Sequence, residues 1–205
     1  MNYLAHLHLA PDEAQARVGN LLGDFIKPAN AGHLPPALQA GLRLHLQIDQ
    51  YTDQHPLIRT ARPWFHPSRQ RFAGILLDIF FDHFLARDWR QWHPQPLTTF
   101  TEQVYAELFS HWDYLPPRLQ HNLPAMQQED WLGGYRELAR IERVLAGFAR
   151  FRLSRPTPFA AGFLDLQANY AEFGALFQAF YPQLQAHVAQ LLAPQAECGN
   201  SPKQA

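Results

Sequence analysis

Between His6 and His83 the chain sets an unusual number of histidines and aspartates into otherwise apolar sequence: His6 and His8, Asp24, then His45, Asp49 and Asp53, then Asp78, Asp82 and His83. A helix that only has to be solvated carries Lys, Glu and Arg on its outer face. Neutral imidazole and carboxylate among Leu, Ile and Phe is instead the donor set that a hard-to-borderline metal ion requires. These residue types predict a buried metal site, while the reaction and the ligand set stay open at this point.

Spacing sharpens the expectation. His45, Asp49 and Asp53 follow one another at intervals of four, which on a helix stacks them on one face about 5–6 Å apart. Leu42, Leu44, Leu46 and Ile48 flank that stripe, so part of it should point inward. The segment from Ala73 to Leu85 repeats the device, with Asp78 and Asp82 four apart among nine apolar residues and His83 directly after. Two buried carboxylates without partners would cost several kcal/mol or stay protonated, so a cation, an arginine or a histidine should meet them. Neighbouring helical side chains diverge by about 100°, so Asp82 and His83 can share an ion only near the edge between their faces.

Each of these features has a plainer reading. The interval-of-four face could be solvated and paired with Arg43, Arg59 or Arg62. Asp78 and Asp82 could make structural hydrogen bonds or caps. Asp24, ending Gly19-Asn-Leu-Leu-Gly-Asp, could be a turn residue, and His8, which cannot share a helix face with His6, reads as structural. So do His33, His55, His66, His93, His111, His121 and His187, which lie beside prolines, in loops or at scattered helical positions.

The elements that must position these residues read as helices. Apolar residues recur at helical rather than alternating spacing, and Leu, Ala, Gln and Arg outnumber the strand-forming Val, Ile and Thr. The pattern predicts an all-α, single-domain helical bundle over residues 1–193. Helices are expected near 12–22 with Asp12 as N-cap, 36–51, 56–65, 68–89 with Ser68 as cap, and 97–112. Two more are expected near 126–151 and 159–192, with interruptions at Gly133-Gly134 and Pro182. Pro116-Pro117 and Pro124 bracket a piece expected to be irregular, and 194–205 reads as an unpacked, disordered tail.

At 205 residues and 47% hydrophobic content the chain can bury one substantial core. A formal net charge of −1 argues against indiscriminate nucleic-acid binding. The single Cys198 can form neither an internal disulfide nor a thiolate metal site. With no signal-like opening and no membrane-length apolar run, a cytoplasmic location is expected.

Four separated motifs, in order and at matching intervals, make the sequence familiar. Met1-Asn-Tyr-Leu-Ala-His-Leu-His-Leu-Ala10, Gly19-Asn-Leu-Leu-Gly-Asp-Phe25, His45 to Asp53 and Leu77-Asp-Ile-Phe-Phe-Asp-His-Phe-Leu85 together resemble the acyl carrier protein phosphodiesterase family of bacteria. The resemblance implies a helical fold distantly related to the HD-type phosphohydrolases. It also implies a divalent cation, Mn2+ first with Mg2+ or Fe2+ as alternatives, and cleavage of the phosphodiester that links 4'-phosphopantetheine to a serine of holo-acyl carrier protein. The sequence departs from the ordinary HD pattern: it has no adjacent His-Asp pair and offers Asp82-His83 in reverse order, so ligands do not transfer from generic HD enzymes.

On this reading the metal ligands come from His6, Asp24, His45, Asp78, Asp82 and His83, and Asp49 or Asp53 takes the proton of the attacking water. The pool exceeds the needs of one ion, so some members should orient ligands or bind a second ion. The resemblance also implies an acidic protein substrate. Two arginine groups could face it: Arg59, Arg62, Arg69 and Arg71 with Arg43 nearby, and Arg136, Arg140, Arg143, Arg150, Arg152 and Arg155. The rival readings are a phosphohydrolase of the HD class acting on a nucleotide such as a guanosine tetraphosphate, and a non-catalytic carrier-protein-binding module. A di-iron helical protein is weaker, because its Glu-x-x-His pairs are not found in the His45–Asp53 or Asp78–His83 segments.

Overall fold

The structure, a computed structural model, describes residues 1–151 and 157–193. Arg152, Arg155 and the expected tail lie outside the described residues, as does the side chain of Arg150. Among the described residues there are ten α-helices and no strand: α1 Tyr3–Leu9, α2 Ala14–Leu22, α3 Pro36–Gln54, α4 Pro56–Thr60, α5 Ala73–Arg87, α6 Leu97–Ser110, α7 Pro117–Gln128, α8 Leu138–Phe151, α9 Gly162–Ala168 and α10 Tyr170–Leu192. The all-α expectation holds. No helix among these residues is long and apolar enough to cross a membrane.

The organising element is α5. Eleven of its fifteen residues are buried, from Ala73 through Phe80 and Phe81 to Ala86, as expected of a helix that is apolar on nearly every side. It touches α1, α8, α10 and the short 3-10 turn Gly133–Arg136. Phe80 packs on Phe65 and Phe173, and Phe81 packs on Phe177 and Phe180, joining α5 to α10. The most extensive helix pair is α2 with α3. Its closeness depends on two glycines: a Cβ on Gly19 would lie 2.3 Å from the Leu38 carbonyl oxygen, and one on Gly41 would lie 2.6 Å from that of Ala16.

Several boundaries differ from expectation. The first helix, α1, is seven residues long and has no local side-chain cap, so nothing in its own sequence announces it. Asp12 does not cap α2; its carboxylate accepts from Arg17 at 2.6 Å. Ser68 does not start α5, which follows a 3-10 turn at Gln70–Phe72. The piece between the prolines is a regular helix, α7, because Pro117 sits in the first turn, where a missing N–H is harmless. Leu119, Leu123 and Met126 are buried along α7, and that apolar stripe outweighs the roughly 3 kcal/mol that an interior proline such as Pro124 costs. Pro182 is likewise carried within α10. The interruption at Gly133-Gly134 does form: Asp130 takes a positive φ of 43°, and its carboxylate accepts from the Gly133 N–H at 3.0 Å. Residues 126–151 are therefore two helices rather than one.

His8 is structural, as its position suggested. Its Nε2 lies 3.1 Å from the Trp92 carbonyl oxygen and its Nδ1 lies 2.7 Å from the Tyr181 hydroxyl. Burial pushes its pKa down to about 4, so acid charges it in the unfolded chain before the folded one. Its stabilising contribution is complete above the ordinary 6.5 and is lost as pH falls toward 4. Urea unfolding of the wild type and of His8→Gln should differ by about 2 kcal/mol more in the variant's favour at pH 5 than at pH 7.5. Parallel pH profiles for the two proteins would refute this account.

Candidate active site

Three helices and the chain start meet at one point. From α1 comes His6, fully buried; from α3 come His45, also buried, and half-exposed Asp49; from α5 comes Asp78. The i, i+4 spacing on α3 acts as anticipated, placing His45 Nε2 3.1 Å from Asp49 Oδ2. His6 Nε2 approaches the other carboxylate oxygen, Oδ1, at 3.1 Å. The two imidazoles stack with centroids 3.9 Å apart, so both Nε2 atoms converge on one carboxylate. A Cβ at residue 23 would lie 2.2 Å from the His45 ring, which is why glycine stands there.

Electrostatics bear on the chemistry. Burial holds His6 down to about 3, outweighing its hydrogen bond with Asp49. Although burial opposes it, hydrogen bonds with His45 and His6 and the Met1 ammonium hold the Asp49 carboxyl well below its ordinary range. Burial pushes Asp78 up. The Met1 ammonium lies 2.9 Å from Asp49 Oδ1 and 3.1 Å from Asp78 Oδ1. Against the pull of burial, those two carboxylates raise it to about 11.

The donor set suits a divalent cation. Donor atoms of His6, His45 and Asp49 all lie within 4.8 Å of one another, an imidazole and carboxylate mixture fit for a first-row ion. The Asn20 side-chain amide sits 3.0 Å from His6 Nδ1, and His6 Nε2 lies 3.1 Å from both Asp49 Oδ1 and the Met1 carbonyl oxygen, so the ring is held at both nitrogens. His45 Nδ1 is buried without a hydrogen-bond partner among the described residues.

The other candidates divide. Asp24 lines the same cleft as Asp49 and Asp78. Asp82 is fully buried, and both its oxygens serve α1: Oδ2 accepts from the Leu4 N–H at 2.8 Å and Oδ1 from the Ala5 N–H at 2.9 Å. It is the N-terminal cap of the helix that carries His6. His83 faces away, with Nδ1 2.8 Å from the Tyr135 carbonyl oxygen and Nε2 2.7 Å from the Tyr170 hydroxyl. Asp53, one turn past Asp49, is exposed. Sequence reasoning missed Asn20, although its spacing of four from Asp24 was visible, and it missed Tyr135, whose hydroxyl accepts from Asn2 Nδ2 at 2.7 Å.

A cleft of about 820 Å³ opens from this cluster. Its lining includes Asn2, Tyr3, Asp24, Asp49 and Asp78 from the cluster's side of the sequence, and Arg118, His121, Glu129, Arg140 and Arg143 from the later helices. Of the first arginine group, Arg43, Arg59, Arg62, Arg69 and Arg71, none lines it. Arg69 is buried instead in a two-pronged pair with Asp165, at 2.6 and 2.7 Å.

Comparison with known proteins places this chain in a family. Residues 1–184 match the profile described as acyl carrier protein phosphodiesterase. The chain is 42% identical over 185 residues to a protein of that name from Serratia proteamaculans, covering 90% of this chain and 95% of the relative. It is 38% identical over 191 residues to one from Salmonella agona, covering 93% and 98%, and 38% over 185 residues to one from Photorhabdus laumondii, covering 90% and 93%. No solved structure matches, so the expected kinship with the HD-type fold gains no support from a structural neighbour. Matched along nearly its whole length by the profile and by these relatives, the chain belongs to the acyl carrier protein phosphodiesterase family.

Proposed function

We propose that this protein is a cytoplasmic hydrolase of holo-acyl carrier protein. It cleaves the phosphodiester between 4'-phosphopantetheine and the carrier's serine to give apo-carrier and free 4'-phosphopantetheine. The carrying observation is the convergence of two buried imidazoles and a carboxylate on one point that opens, through Asp49 and Asp78, into a cleft also lined by Arg118, Arg140 and Arg143. His6, His45 and Asp49 would hold a divalent ion, Mn2+ first with Mg2+ or Fe2+ as alternatives, with Asp24 and Asp78 beside them. When bound, such an ion makes water acidic enough to attack at neutral pH and draws charge from the phosphoryl oxygens.

The chain's own residues supply the rest. Burial keeps His6 neutral and available as a donor, and Asn20 orients its ring. Asp78, whose carboxyl burial makes more basic than usual, faces the cleft and takes the proton of the attacking water. Asp82 holds α1, and so His6, in register with α5.

Intact mass spectrometry of purified holo-acyl carrier protein, incubated with the protein and Mn2+, tests this beside a chelated sample. Loss of the phosphopantetheine mass only with metal is the expected result. An unchanged carrier mass with folded, metal-loaded protein would overturn the reading; turnover of a free nucleotide would then favour the nucleotide phosphohydrolase, and binding without turnover the non-catalytic module.

A further inference from the structure

The cleft is lined by charges of both signs, and among the described residues only one of its three arginines is paired within the protein. Arg140 is engaged: its guanidinium contacts the Glu129 carboxylate at 3.2 Å and carbonyl oxygen at 2.7 Å. Arg118, on the first turn of α7, and Arg143, on α8, are both exposed. Among the described residues no carboxylate lies within ion-pair distance of either one. His121 follows Arg118 at helical spacing, and both line the cleft. In a chain whose formal net charge is −1, two exposed guanidiniums that line the cleft of the Asp49 cluster and have no carboxylate partner among the described residues are a local feature, not a consequence of composition.

A phosphodiester that joins a small arm to a folded protein sets a geometric demand. The arm enters the cleft, and the protein, attached through its serine, stays at the mouth. Exposed rim guanidiniums without internal partners are suited to a protein surface of opposite charge, where they raise encounter rate and set orientation. A clamp for the phosphate itself would be expected deeper, beside the buried His6 and His45.

We propose that Arg118 and Arg143 form the docking rim for an acidic face of the carrier-protein substrate and act on its capture rather than on bond cleavage. The proposal rests on the phosphodiesterase reading for the identity of the partner, but its binding test does not depend on turnover.

The test compares the wild type, Arg118→Glu/Arg143→Glu, and the control Arg43→Glu/Arg71→Glu, whose sites lie outside the cleft. Binding of apo-acyl carrier protein is measured by calorimetry at low and raised salt, and turnover of the holo form by kcat and KM. The rim variant should bind at least about tenfold more weakly, raise KM by a similar factor, keep kcat within about threefold and lose most of the salt dependence, while the control stays near wild type. The neutral single variants Arg118→Gln and Arg143→Gln should each show about threefold effects of the same kind and carry the test if the double reversal unfolds. Binding by the rim variants within about twofold of wild type would overturn the proposal. An equal loss on a short phosphopantetheinylated serine peptide without acidic residues would also overturn it, by assigning the arginines to the phosphodiester. Wild-type binding without turnover, lost in the rim variant, would sink the phosphodiesterase reading and leave the rim standing.

Discussion

Asp49→Ala is expected to lower turnover of holo-acyl carrier protein by about 10²–10⁴-fold with little change in KM, the range seen when a group acting directly at the reacting centre is lost. The reason is its position: among the described residues, it alone touches His6, His45 and the Met1 ammonium. Without it, two buried imidazoles 3.9 Å apart keep no shared anion, and the donor set that would hold a divalent ion is reduced to nitrogen. Asp53→Ala, on the same helix face but exposed, should keep turnover within about threefold. Single-turnover assays under excess metal, with thermal melting to verify folding, separate the two. Near-wild-type activity in Asp49→Ala would remove the cluster from the chemistry.

The second large effect is on stability and falls on a residue whose type suggested a ligand. Asp82→Ala should destabilise the metal-free protein by about 3 kcal/mol at pH 6, since two buried backbone donors lose their acceptor. Asp82→Asn, which keeps one acceptor oxygen, should lose about half as much. Urea unfolding in the presence of a chelator is the decisive assay. A residue acting only as a metal ligand would leave stability there unchanged, whereas a cap cannot. Burial raises the Asp82 carboxyl to about 7 despite the Leu4 and Ala5 N–H bonds. The folded protein therefore holds that proton more tightly than the unfolded one between 3.8 and about 7. Wild-type stability falls with rising pH across that window, and its advantage over Asp82→Ala should shrink from pH 5 to pH 8. A constant difference would mean that Asp82 does not titrate as described.

Asp82 also marks where sequence reasoning stops. A carboxylate buried on an apolar helix needs a partner, and that much follows from residue type alone. Both an ion and a helix N-terminus satisfy the demand, since each presents positive charge. The choice depends on what lies opposite. Here it is the start of α1, a helix too short to be stable by itself and without a local side-chain cap. The same missing information hid α1 from the sequence and left Asp82 among the candidate ligands.

What the sequence by itself determined follows from periodicities within one element. Helical spacing of apolar residues made the protein all-α, and spacing of four placed His45 against Asp49 and aligned Asp78 with Asp82. Four ordered motifs pointed to the family that the comparisons show. Only the tertiary structure decided which of those faces meet. It brought His6 from α1 onto α3, turned His83 toward Tyr135 and Tyr170, buried Arg69 against Asp165, and gathered Arg118 and Arg143 into the lining of the cleft that holds Asp49. Local spacing fixes the direction of a side chain relative to its own helix axis, but a site is made by several axes. Their relative placement is set by packing contacts such as Gly19 and Gly41 between α2 and α3, whose effect is felt only when distant segments are pressed together.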